Sequence, residues 1–176
     1  FGYNNTSFMI AGIDISAGSP PSESPLLASG DPLDAGAAAI SLTQLQPVAA
    51  EAAARWSAAG LTAEQAATLA RVQFAVADLG GAYLGLANPA TNTVRIDDDA
   101  AMMGWSVIGD RSTVIGDRLP ITDYRSPITG VDLLTVVMHE LGHLLGHEHS
   151  ADADDLMAPV LAAGRSASSF QTLEPL

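Results

Sequence analysis

The stretch 139–149, His139-Glu-Leu-Gly-His143-Leu-Leu-Gly-His-Glu-His149, carries all four histidines of the chain, and its spacing is that of metal chemistry. A catalytic zinc takes three protein ligands and keeps one position open for water, and neutral imidazole suits the ligand role. His139 and His143 are one helical turn apart, so on a helix both rings leave the same face close enough to share an ion. Glu140 is turned about a quarter of the way round the helix from His139. That places its carboxylate beside the open position, as a general base and not as a fourth ligand.

The third ligand needs a break in the helix. On a continuing helix His147 shares the stripe of His139, but the two Cα atoms are then about 12 Å apart, too far for one ion. Gly146 resolves the choice, because glycine readily adopts the left-handed conformation that ends a helix and turns the chain. His149, just past that turn, is therefore the expected third ligand, and His147 is left as a solvated or supporting residue.

The pattern His139-Glu-x-x-His143-x-x-Gly146-x-x-His149, with Met157 in Asp-Leu-Met-Ala-Pro after it, resembles the zinc signature and Met-turn of the metzincin metallopeptidases. Ser150, directly after the third histidine, is similar to the matrixin branch. The resemblance implies an α+β fold: a small twisted mixed sheet, a backing helix, an active-site helix ending at a glycine, then the Met-turn and a short C-terminal part. It implies a zinc endopeptidase acting on extended protein segments, with one zinc on His139, His143 and His149, Glu140 as base and Met157 as an apolar floor. Residues 158–161 would wall the pocket for the residue after the cut, lined by Val137, Pro159 and Leu161. The strand near residues 82–86 matches the sheet edge bordering the cleft, where a substrate adds as a strand. Asp97-Asp98-Asp99 is similar to a run that helps bind calcium in matrixins, although solvated acids at a strand end would read the same way.

This chain departs from the pattern in several places. No histidine remains for the second, structural zinc of matrixins, and the corresponding strand positions hold Gly85 and Arg95. Ala100-Ala101 stand where an acid closes the calcium site, and Pro159-Val160-Leu161 replaces Pro-x-Tyr. With no cysteine, disulfides and a cysteine switch are both excluded. Latency, if present, would need an acid such as Asp14 or Asp31 on the metal. The contrasting reading is a non-catalytic zinc-binding module of a larger secreted or surface protein; the intact Glu140 speaks against it. A hydrolase of non-peptide esters or amides could use the same site.

At 176 residues the chain is expected to form one domain with a real core. A formal charge of −13 argues against a nucleic-acid partner. No run is apolar and long enough to span a bilayer, and residues 1–15 lack the pattern of a signal peptide. The chain reads as a mature form or as part of something longer, and a secreted or cell-surface location follows only from the resemblance.

The elements that must position the site can be read in order. Residues 8–13 could be a strand, and 16–39, punctuated by Pro20, Pro21, Pro25 and Pro32, read as an extended linker. The domain is therefore expected at 41–176, with 1–40 an extension, pro-segment or first strand. Ser41 or Thr43 caps a helix to about residue 59 whose stripe is Leu45, Val48, Ala52, Arg55 and Trp56, and Gly60 stops it. Thr62 to Gln65 is a capping box for a short second helix. Strands follow at 72–77, 82–86 and 93–97. A near-repeat, Val107-Ile-Gly-Asp-Arg111 and Val114-Ile-Gly-Asp-Arg118, offers Asp110, Asp117 and Asp123 as calcium ligands or is a duplicated surface loop. Asp132 is the expected N-cap of the histidine helix, which is apolar nearly all round and must be buried.

Overall fold

The structure, a computed structural model, describes residues 25–32, 37–106 and 130–165. The possible strand at 8–13, Asp14 and the Val-Ile-Gly-Asp-Arg repeat with its three aspartates lie outside the described residues.

The architecture is α+β. Three helices, α1 (Leu42–Gly60), α2 (Ala63–Leu69) and α3 (Leu133–Leu144), accompany a five-stranded mixed sheet of β1 (Leu26–Ser29), β2 (Gln73–Ala77), β3 (Tyr83–Asn88), β4 (Thr93–Asp97) and β7 (Val160–Ala162). Two short strands, β5 (Trp105–Ser106) and β6 (Val131–Asp132), pair in parallel just before α3. The sheet order is β2-β4-β3-β1-β7. β2 runs parallel to β4, β3 antiparallel to both β4 and β1, and β1 parallel to β7.

Local chemistry accounts for the helix starts. Ser41 and Gln44 form a reciprocal capping box on α1, and Thr62 and Gln65 do the same on α2. The buried stripe of α1 is Leu45, Val48, Ala49, Ala52 and Trp56. Arg55, expected in that stripe, is exposed and pairs with Glu51 at 2.8 Å, since a guanidinium keeps its hydration at the rim of the core. α3 is buried along nearly its whole length, as an all-round apolar helix must be. Its N-cap Asp132 accepts from the Leu134 amide and, at 2.6 Å, from the Thr135 hydroxyl. Burial raises the Asp132 carboxyl above the usual range, against the pull of those same bonds.

One expectation needs correction. The stretch read as linker contains β1, which inserts between β3 and β7, so the sheet takes in residues before the expected boundary at residue 40. The outer edge of β3, expected to border the cleft, is covered by β1. The physical reason is pairing. The backbone groups that an edge would leave unmatched are engaged by β1, with Ala28 N donating to Ala82 O at 2.7 Å, while on its other side β1 is held by Leu27 N donating to Pro159 O at 3.0 Å.

Candidate metal centre

α3 delivers His139 and His143 from one face, and a Schellman turn then reverses the chain. His147 N donates to Gly142 O at 2.9 Å and Gly146 N to His143 O at 3.1 Å, while Gly146 takes φ +93°. That left-handed conformation costs glycine little and an L side chain much. The turn brings His149 back. Its Nε2 lies 3.2 Å from Nε2 of both His139 and His143, which are 3.0 Å from each other.

The other ring nitrogens decide what those three Nε2 atoms can do. His139 Nδ1 is 2.8 Å from Leu156 O, and His143 Nδ1 is 2.8 Å from His147 O. A carbonyl only accepts, so in both rings the proton sits on Nδ1 and Nε2 presents a bare lone pair. Two such lone pairs at 3.0 Å repel unless a cation lies against both. Zinc bonds of about 2.0–2.1 Å in tetrahedral array hold their ligand atoms roughly 3.3 Å apart, close to what is seen. The donor set therefore fits zinc. Protonation of the two rings on α3 is disfavoured too: burial, reinforced by His143 and His149 and opposed by the Leu156 carbonyl, pushes His139 down to about 3. Burial likewise lowers His143.

Glu140 is fully buried beside the first histidine, and neither carboxylate oxygen has a hydrogen-bond partner in the protein. Burial pushes the group up to about 8. The backbone amides of Leu26 and Ala87 face the carboxyl and offset part of that rise without reaching hydrogen-bond geometry. An orphaned buried carboxyl is costly, and it is where a water molecule and a neighbouring cation would find partners. Room for it comes from Gly85 on β3, where a Cβ would lie 2.7 Å from Glu140 Cγ and Oε1. Reading the sequence alone left Gly85 unassigned beyond a missing ligand, although a glycine inside an apolar strand run signals close approach of another group.

The remaining expected residues fall around this centre. Met157 is buried against α3, where a Cβ on Gly142 would meet its Sδ at 2.5 Å, and Leu156 before it supplies the carbonyl that orients His139. The turn is tied by Asp155, which accepts from the Met157 amide at 2.7 Å. Val137 is buried in α3, Leu161 is half-buried on β7, and Pro159 is exposed with its carbonyl holding β1. His147 is not in the cluster. Its ring stacks on Trp56 at 5.1 Å, and its carbonyl orients His143, a backbone role that side-chain spacing does not reveal. Asp31 is exposed and outside the cluster.

Oxygens of Asp78, Asp97 and Asp98 lie within 4.8 Å of one another. Asp97 accepts from the Leu79 and Ala101 amides at 2.8 Å, Asp99 from Met102 at 2.8 Å, and Asp78 from Gly80 at 2.9 Å. These bonds hold a turn in which Ala100, Ala101 and Met102 all have positive φ. They engage Asp78, Asp97 and Asp99 within the protein, and we assign no calcium to the run. Among the described residues no helix is long and apolar enough to cross a membrane.

Comparison with known families agrees with this geometry. The sequence model of the matrixins matches residues 49–173, well over half the chain. No curated protein sequence matches it.

Proposed function

The chain belongs to the matrixin family, and on that premise we propose that it is a zinc-dependent endopeptidase hydrolysing extended protein segments. The carrying observation is the convergence of three imidazole Nε2 atoms, 3.0 to 3.2 Å apart, with an unpartnered buried carboxyl on the helix that carries two of them. His139, His143 and His149 would hold one zinc, and with all four histidines in this segment none remains for a second. When bound, zinc supplies Lewis acidity, making water a better nucleophile near neutral pH and polarising a carbonyl.

The protein's own groups do the rest. The Leu156 and His147 carbonyls fix two imidazoles in the ligating tautomer. Glu140 takes the proton of the attacking water and passes it to the departing amine. Glu140, whose carboxyl burial pushes up, would be held ionised by the charge of a cation on the three histidines. Val137, Pro159 and Leu161 would favour an apolar residue just after the cut. As a matrixin-like enzyme the protein would act outside the cell or at its surface, alone or with other domains of a longer chain, and its substrate would be a protein or peptide.

The test is casein hydrolysis by the zinc-loaded protein and by Glu140→Ala, each with and without a chelator. Activity in the wild type alone, lost on chelation, is expected. Equal residual activity in both proteins would leave the non-catalytic binding module as the better reading, and hydrolysis of esters but not peptides would point to the non-peptide hydrolase.

A further inference from the structure

β1 lies before the residues that match the matrixins, yet it sits inside the sheet, between β3 and β7. Leu26 is opposite Gly85 on β3, the residue whose missing Cβ makes room for Glu140. The backbone of Leu26 therefore lies over the base, and its amide faces the carboxyl. Leu26 itself is fully buried. Beyond it the strand is held on both sides, through Leu27 N to Pro159 O and Ala28 N to Ala82 O. Pro25, before it, is only half-buried and opens onto a cavity of about 290 Å³ shared with Tyr83, Leu86 and Arg95.

These are the features of a peptide laid along the site: backbone held between two strands, one apolar side chain sunk into the core, and one amide nitrogen against the base. The Ala87 backbone faces Glu140 too, but it is locked in the β3–β4 ladder opposite Val94. Resting on the peptidase reading above, we infer that residues 25–29 are an internal substrate strand and that the chain cuts its own Pro25–Leu26 bond. In that hydrolysis one water is consumed. Its oxygen adds to the Pro25 carbonyl carbon, the carbon–nitrogen bond to Leu26 breaks, and Glu140 carries the water's proton to the Leu26 nitrogen. The products are a Pro25 carboxylate and a Leu26 ammonium group.

The experiment incubates the full chain with stoichiometric zinc at two concentrations tenfold apart and follows intact mass and new N-termini. Casein and a synthetic peptide of residues 21–30 serve as external substrates in parallel. A new N-terminus at Leu26 is expected, with a rate constant unchanged by the tenfold dilution and no cleavage in Glu140→Ala or in the closely isosteric Glu140→Gln. If an external substrate is cut while Pro25–Leu26 stays intact, or if the self-cut falls elsewhere or slows on dilution, the inference is overturned and the peptidase reading stands. If zinc binds stoichiometrically and neither chain, peptide nor casein is cut, the peptidase reading itself fails and takes the inference with it.

Discussion

Gly85→Ala places the smallest possible side chain where the base now lies. The added methyl carbon would stand 2.7 Å from Glu140 Cγ and Oε1 and 2.9 Å from Cδ, well inside contact distance. Glu140 is fully buried, so it has little space into which to retreat. Overpacking of this kind typically costs about 1–3 kcal/mol of stability. At roughly 2–4 °C per kcal/mol for a chain of this size, Tm should fall by several degrees. A base displaced by about 1 Å commonly loses on the order of 10²-fold in rate, so kcat/KM on casein should drop by about that factor. Zinc stoichiometry should stay at one, because the clash is with the base and not the imidazoles. A double-mutant cycle isolates the cause. In a Glu140→Ala background the opposing side chain is gone, and the stability cost of Gly85→Ala should largely vanish. A cost that persists there, or a Gly85→Ala protein with full activity and unchanged Tm, would refute the steric argument.

Further outcomes follow from the same geometry. The metal-free chain should show opposing pH effects. Glu140, raised from 4.5 to about 8, has its charged form disfavoured in the fold, so stability falls as pH rises through that window. His139, lowered from 6.5 to about 3, makes stability fall as pH drops through its own window. Urea unfolding at several pH values should find the fall in stability between about pH 4.5 and 8 removed by Glu140→Gln; an unchanged slope across that window would contradict the assignment. Zinc at about a thousandfold over its Kd should add on the order of 4 kcal/mol, and His149→Ala should lose most of that increment in a thermal melt with and without chelator. Trp56 donates to Met138 O at 3.0 Å from the backing helix, a second bond to a carbonyl already inside α3, so Trp56→Phe should cost about 1 kcal/mol in urea unfolding through loss of that bond.

Much of the scaffold was legible because its causes are local. The two capping boxes, the alternation of β2 and the apolar α3 each follow from residues within one or two turns of one another. So do His139, Glu140 and His143, whose relation is set by helical pitch, and the glycine turn that selects His149 over His147.

What stayed hidden depends on distant partners. Leu26–Ser29, set in a stretch punctuated by prolines, glycines and serines, has no strand signal of its own and becomes a strand only because β3 and β7 offer backbone groups to pair with. The burial of Glu140 against Gly85, and the carbonyls of Leu156 and His147 behind the rings, likewise join groups that no periodicity relates. The sequence by itself determined which side chains could grip a cation, because helix pitch and a glycine's left-handed turn are short-range. Only the tertiary structure decided what lies over that site, because filling a sheet's unpaired backbone is a long-range choice.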